Sequence, residues 1–168
     1  MPSRGVYRYC KNPSHATITL NGGINKNTAK TLDIFTASKV KASFFISGKT
    51  ISKYADLGDT LINDHYEENI GVLRHIVRRG NYSGSQGFRN LDLTGLTPEE
   101  VALELDTTDK FFRNSIGVRP RLFRAPDGYC SLNYILFYFL LGNFLADCLI
   151  NYRREVISFS IGATTLKT

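Results

Sequence analysis

Residues 16–23 read ATITLNGG and residues 40–48 read VKASFFISG, and these two stretches decide the fold. The first is rich in β-branched residues and runs into Asn-Gly-Gly, which predicts a strand over 16–20 that ends in a sharp loop. The second predicts a strand over 41–48 that is apolar enough to be buried on both faces, as strands of parallel sheets are. The second strand therefore favours a parallel sheet.

Helical patterns alternate with these strands. A helix is predicted over about 27–38, with Leu32, Ile34 and Phe35 on its inner side. Apolar residues recur at helical spacing over 70–77, and Gly80 is a good helix stop. The sequence TPEE at 97–100 is a capping box with proline at the first helical position, which predicts a helix that ends at Gly117.

The remaining elements continue the alternation. They are a strand near Tyr82, a strand over 122–124, a helix over 131–141 and a strand over 144–150. Alternating strands and helices predict βα units and an α/β fold with a parallel sheet, either open or closed into a barrel, because the order of elements does not separate those two. No linker or repeat divides the chain, so one domain is predicted over 1–168.

Composition limits the kinds of partner. The chain has 168 residues, 42% of them hydrophobic, which suffices for one sizeable core. Its 21 Lys and Arg against 15 Asp and Glu give a net charge of +6, which favours acidic partners. The cations lie in short groups rather than in a stripe interleaved with aromatics, so an ordinary solvated basic surface is favoured and no nucleic-acid partner is predicted.

Location signals are weak. The longest apolar run, 134–141, is well short of the roughly 20 residues that cross a bilayer, so no transmembrane segment is predicted. The first ten residues hold no apolar stretch that could serve as a signal peptide, and we expect any such peptide to have been removed or left out. Cys10, Cys130 and Cys148 have no Cys-x-x-Cys spacing, so one disulfide with a free thiol and three free thiols are both compatible with the sequence.

Four segments together carry a family resemblance. Residues 16–23 and 40–48 resemble the ALTFDDGP and VKATFFxxG segments of polysaccharide deacetylases, the chitin deacetylase-like, NodB-homology proteins. Residues 80–94, GNYSGSQGFRNLDLT, are similar to that family's GHEIGNHTWSHPDLT, and residues 117–128, GVRPRLFRAPDG, to its GxxPxxFRPPYG. The segments keep the family's order and spacing across 16–128.

The resemblance implies several further properties. The implied fold is a distorted (β/α) barrel of the NodB-homology type, and the implied substrates are chitin or other N-acetylated glycans. The similarity fades after about residue 130, so the last part of the barrel is expected to be missing or rebuilt. A secreted or cell-surface location is implied, and Cys10 stands where fungal-type members often have a disulfide-bonded cysteine.

The departures from the family pattern concern its chemistry. In the family, the first aspartate of the DD pair is the general base, and the second binds a divalent metal, such as zinc, together with two histidines. These positions here are Asn21, Gly22, Gln86 and Asn90. An amide does not take a proton from water near neutral pH, glycine offers no ligand, and zinc sites use imidazole, thiolate or carboxylate rather than amide oxygens. We therefore expect no tight metal site and no cofactor.

The third motif is half kept. Arg124 and Pro126 match the family, whereas Ala125 and Asp127 replace its proline and tyrosine. In the family the arginine orients the catalytic aspartate, so Arg124 is either a retained anion or sugar contact or a structural arginine at the end of a strand. The residues predicted to contact a ligand are Asn21, Gln86, Asn90, Arg124 and Asp127.

Other signals do not restore the lost groups. The three histidines, His15, His65 and His75, all lie outside these loops, and the family's later Asp/Trp and Leu-His motifs have no counterpart in the chain. The leading hypothesis is a deacetylase-like protein without deacetylase activity, with weak glycan binding or a structural role. The alternatives are an active hydrolase that uses relocated carboxylates such as Asp127 or Asp147, and a basic polyanion-binding protein. The sequence leaves the oligomeric state open.

Overall fold

The centre of the structure, a computed structural model, is a parallel sheet. The structure describes residues 14–25, 27–51, 66–120 and 122–128, together with the backbone of 157–160. The described strands are β1 (Ile18–Asn21), β2 (Ala42–Ile46), β3 (Tyr82–Ser85), β4 (Leu122–Phe123) and β5 (Ile157–Ser160). They lie in the order β4-β3-β2-β1-β5, and all of the pairs are parallel. The predicted parallel sheet of alternating elements is confirmed.

Helices connect the strands. They are α1 (Thr28–Ala37), α2 (Gly48–Ile51), α3 (Tyr66–Arg78) and α4 (Pro98–Ile116), and single 3-10 turns lie at Leu93–Gly95 and Pro126–Gly128. The predicted capping box opens α4, because Thr97 accepts from the Glu100 N–H while Glu100 accepts from the Thr97 N–H. Gly117 closes this helix with φ 74°, a left-handed conformation that glycine adopts at no steric cost.

The hydrophobic core lies between the sheet and these helices. All five residues of β2 are buried, as predicted for a strand covered on both faces. In α1, Leu32 is fully buried and Phe35 packs against the core, but Ile34 is 63% exposed, so its predicted inward position is wrong. Residues 32 and 35 share a helix face, whereas residue 34 lies about 200° around the axis from residue 32 and points to solvent.

The register of the sheet brings the ends of its strands together. Asn21, the last residue of β1, pairs with Phe45 on one side and Ser160 on the other. Ser85, the last residue of β3, pairs with Ile46 and Phe123. The loops that follow β1, β3 and β4 therefore leave the same edge of the sheet.

Some predicted elements are not tested by the structure. The helix predicted over 131–141 and the strand predicted over 144–150 lie outside the described residues, as do Cys10, Cys130 and Cys148. Strand β5 and helix α2 were not predicted. In the part of the chain that the structure describes, no helix combines the length and apolarity that a membrane span needs.

Candidate functional site

The loops after β1, β3 and β4 converge at the carboxyl edge of the sheet. The Gln86 N–H donates to the Ile46 carbonyl at 3.0 Å, and the Arg124 N–H donates to the Ser85 carbonyl at 2.9 Å. Through these bonds Gln86 and Arg124, each the first residue after its strand, remain hydrogen-bonded to the neighbouring strand. The structure consequently brings Asn21, Gly22, Gln86 and Arg124 together, although they lie far apart in the sequence.

Arg124 binds the side chain at the position of the family's general base. Its Nη1 donates to Asn21 Oδ1 at 2.6 Å and to Thr19 Oγ1 at 3.0 Å. The arginine is only 6% exposed, and its guanidinium carbon lies 3.9 Å from the centroid of the Phe45 ring, a cation–π geometry. Arg124 thus holds residue 21 as the family's arginine holds its aspartate, but the residue held is a neutral amide.

Gln86 and Gly22, which stand at two of the family's metal-ligand positions, are bonded to each other. The Gly22 N–H donates to Gln86 Oε1 at 3.1 Å, and the Gln86 side chain is buried. The oxygen that Gln86 would offer to a cation is therefore already an acceptor for the backbone. Gly22 has φ 101°, a conformation that a residue with a Cβ atom rarely adopts, so an aspartate at this position would be strained.

Asn90 lies in the loop between β3 and the 3-10 turn at Leu93–Gly95. It has φ 61°, the left-handed region that asparagine tolerates better than most residues. Its Oδ1 atom is buried and has no hydrogen-bond partner among the residues that the structure describes. A single buried amide oxygen is a weak metal ligand but a competent acceptor for an N–H or O–H group.

Glu104 of helix α4 holds this loop through hydrogen bonds to Arg89. Its Oε2 accepts from the Arg89 N–H at 2.7 Å, and its Oε1 accepts from Arg89 Nε at 2.5 Å. Glu104 is 2% exposed, and a Cβ atom on Gly87 would lie 3.3 Å from its Oε2. The sequence analysis did not identify Glu104. One signal was available, because Glu104 and Thr108 lie on the same face of the helix as the apolar residues Val101 and Leu105, which are buried.

The other predicted site residues are more dispersed. Pro126 is buried beside Arg124, whereas Asp127 is exposed and has φ 51° in the 3-10 turn. The Arg124 side chain donates to Thr19 and Asn21 of β1. Asp147 lies outside the described residues.

The histidines add no ligand set at this edge of the sheet. His15 is exposed, and His75 accepts a 2.7 Å hydrogen bond from Arg79 near the end of α3. His65 lies outside the described ranges. Within those ranges, no three His, Cys, Asp or Glu side chains are grouped so that they could hold a metal ion.

Known proteins share this fold and part of the sequence. The family model for polysaccharide deacetylases matches residues 8–138. A chitin deacetylase of Arthroderma benhamiae is 26% identical over 127 residues, which are 75% of this chain and 31% of that protein. The chain spans between 18% and 44% of the lengths of four curated relatives that it matches.

Two solved structures show the extent of the structural likeness. The chitin deacetylase of Colletotrichum lindemuthianum superposes with a TM-score of 0.71 at 22% identity, covering 88% of this chain and 61% of that one. A CE4 family pseudoenzyme from Bacillus anthracis superposes with a TM-score of 0.67 at 19% identity, covering 87% of this chain and 47% of that one. These likenesses confirm the predicted α/β fold class of the NodB-homology type. Together with the match of the family model over most of the chain, they place it in the polysaccharide deacetylase family.

Proposed function

We propose that this chain is a polysaccharide deacetylase-like protein that no longer deacetylates. On this proposal the catalytic base and the metal, zinc or another divalent ion, have been lost with the residues at 21, 22, 86 and 90. What remains is weak binding of chitin or another N-acetylated glycan, or a structural role, at the cell surface. The secreted or cell-surface location rests on the family resemblance alone.

The observation that carries the proposal is the pairing of the neutral groups at the site. Asn21 Oδ1 accepts from Arg124, and Gln86 Oε1 accepts from the Gly22 N–H. A glycine and two amides do not match the imidazole, thiolate or carboxylate donors of zinc sites, and the Gln86 oxygen is already engaged. The residues present therefore do not fit the metal that the family implies.

The expected effect on turnover is large. Loss of a general base typically costs about 10²- to 10⁴-fold in rate, and loss of a water-activating Lewis acid costs several kcal/mol of transition-state stabilisation. These losses are not multiplied, because residues that act as a unit are not additive. Either loss alone would reduce turnover to a level that is hard to detect. The B. anthracis pseudoenzyme supports the idea that this fold persists without its reaction.

The test compares the natural chain with a reconstructed site. The reconstructed variant carries Asn21→Asp, Gly22→Asp, Gln86→His and Asn90→His. After incubation with zinc or cobalt and gel filtration, elemental analysis should find no stoichiometric metal in the natural chain and more metal in the reconstructed one. The strain of a side chain at φ 101° should lower the stability of the reconstructed variant, so a version that keeps Gly22 serves as its control. Stoichiometric metal in the natural chain that is lost in Gln86→Ala would refute the proposal.

Glycan binding is tested separately by titration with chitooligosaccharides. The buried Asn90 Oδ1 and the Arg124 side chain at this edge support a site for hydroxyl and N-acetyl groups. Asn90→Ala should weaken binding, whereas Asn114→Ala, an exposed amide on α4, should not. If the natural chain binds no oligosaccharide, only the structural role remains.

A second candidate function is hydrolysis by a relocated carboxylate. Asp127 favours it, because this exposed carboxylate lies three residues after Arg124 at the same edge of the sheet. Acetate release from chitooligosaccharide that is lost in Asp127→Asn would establish this function and overturn the preferred one. Absence of acetate from the natural chain would exclude it.

A further inference from the structure

Most of the Lys and Arg side chains in the described part of the chain lie at the amino edge of the sheet, opposite the candidate site. Segments 38–41, 74–81 and 109–120 lie at this edge, where strands begin and helices end, and we call them together the basic end. They carry eight Lys and Arg, all exposed, while the one carboxylate in these segments, Asp109, is buried. The cations of these three segments, which are separate in the sequence, therefore lie at one edge of the fold.

Contacts between elements make the basic end continuous. Lys41 Nζ donates to the Arg79 carbonyl, which joins the start of β2 to the end of α3. Arg74 donates through Nε and Nη2 to the Ser115 carbonyl at 3.3 and 3.0 Å, which joins α3 to α4. Arg119, before β4, donates to Asp109 of α4 at 2.8 Å. These contacts place the cations in a row that crosses the sheet from β2 to β4.

Helix capping explains only part of this arrangement. Cations are favoured near helix carboxyl termini, and Arg74 and Lys41 do bond to carbonyls at such ends. Arg119, however, lies in the connection before β4, and it donates to the carboxylate of Asp109. Asp109 is the acceptor for Arg113 as well as Arg119, and both arginines remain exposed. The basic end thus keeps a large excess of positive charge facing water.

We infer that the basic end binds a linear chain of linked phosphate groups without nucleobases, of the inorganic polyphosphate type. Most of its cations are arginines, whose planar guanidinium groups bind phosphate oxygens in pairs. A row of charges fits an extended chain. A bilayer surface is a poorer fit, because two of the three large apolar side chains that are exposed in the described residues, Ile34 and Leu103, lie on helices outside the segments of the basic end. This inference is independent of the proposed loss of deacetylation.

The test measures binding of medium-chain inorganic polyphosphate by the full chain, with two matched double variants. The first, Lys39→Asn with Arg78→Gln, neutralises two exposed cations of the basic end, and asparagine suits the φ of 57° at residue 39. The second, Lys30→Gln with Lys49→Gln, removes the same charge from the opposite edge. At about 0.1 M salt the first should weaken binding by about tenfold or more and flatten its salt dependence, whereas the second should change affinity by about twofold at most.

Three outcomes would overturn the inference. They are no binding of polyphosphate by the natural chain, an equal loss in both double variants, and binding of phosphatidylglycerol vesicles or of a DNA duplex that exceeds binding of polyphosphate under the same salt. Thermal unfolding of each variant shows whether it is folded. Because no arm of this test measures metal or acetate, its failure is distinguishable from failure of the proposed function.

Discussion

Helix α4 and the candidate site hold their buried polar groups in different ways. In α4, the buried carboxylates of Glu104 and Asp109 are paired with arginines from a loop and from the helix itself. At the site, the described acceptors for Arg124 and for the Gly22 N–H are neutral oxygens. In this chain, charged pairs hold the buried carboxylates of α4, whereas the residues at the family's reacting positions are neutral and are held by hydrogen bonds to Arg124 and to each other.

The largest effect is expected for Glu104→Ala. The substitution removes the two carboxylate oxygens of Glu104 that accept from Arg89, and it leaves a cavity between α4 and the loop that follows β3. We expect the free energy of unfolding to fall by about 3 kcal/mol or more, since Glu104 is buried and doubly bonded. Chemical denaturation measures this loss, with Glu99→Ala, an exposed carboxylate in the same helix, as the control. A loss below about 1 kcal/mol would mean that the charged pair does not position the loop.

Asn81 is a buried neutral side chain that can be compared with the buried carboxylate of Glu104. Its Oδ1 accepts from the Ala42 N–H at 3.0 Å, its Nδ2 donates to the Ile76 carbonyl, and the residue is 8% exposed. Asn81→Ala should lower the free energy of unfolding by about 2 kcal/mol, because the Ala42 N–H would be buried without this acceptor.

Asn81 also begins the sequence Asn-Tyr-Ser, which matches a glycosylation sequon. Since its amide is enclosed and bonded, folded protein made in a glycosylating host should carry no glycan there, and its mass should not change on treatment with an N-glycanase. Ser83→Ala removes the sequon but keeps the amide bonds, so it separates the two roles of this segment. A glycan on folded protein at Asn81 would contradict the enclosed geometry.

Gln86→Ala should have a smaller effect of about 1 kcal/mol. The Gln86 side chain is buried, but Gly22 is exposed, so water can replace the lost acceptor for its N–H. Urea denaturation of Gln86→Ala and of the exposed-amide control Asn114→Ala gives the difference. A loss as large as that of Glu104→Ala would remove the contrast between the site and α4.

The smallest effect concerns the start of α4 and depends on pH. The Thr97 N–H, and then the Thr97 side chain, hold the pKa of Glu100 below its ordinary value of 4.5. A lowered pKa in the folded state gives stability that is present above pH 4.5 and is lost as the pH falls through the folded value. Glu100→Gln should therefore flatten the dependence of unfolding free energy on pH below 4.5. An unchanged pH profile would show that this exposed bond contributes nothing.

Patterns of neighbouring residues in the sequence predicted several secondary-structure features well. The capping box at Thr97, the stop at Gly117 and the buried run of β2 all depend on neighbouring residues, and each is present in the structure. The inward position of Ile34 failed because it did not follow the helical period. Strand β5 was missed because its pairing with β1 is decided by the tertiary fold.

The candidate site was predictable in membership but not in its contacts. The resemblance named Asn21, Gly22, Gln86, Asn90, Arg124 and Asp127 as site residues, and the hydrogen bonds between site residues that the structure shows link Asn21 with Arg124 and Gly22 with Gln86. The bonds between them join positions 64 and 103 residues apart in the sequence, so only the folded sheet shows which amide accepts from which donor. Glu104 was missed because a carboxylate in a helix is ordinarily solvated, and its burial depends on the loop that carries Arg89.

The position of β1 in the sheet has a consequence for how the chain folds. β1 is the first described strand, and it pairs with β2 on one side and with β5, the last described strand, on the other. Pairing of segments so distant in sequence requires closure of a very long loop, and topologies rich in such contacts fold slowly. During synthesis, the edge of β1 that pairs with β5 can therefore gain this partner only after β5 has emerged. The interval before then is when the chain is most exposed to wrong strand pairing and to chaperones.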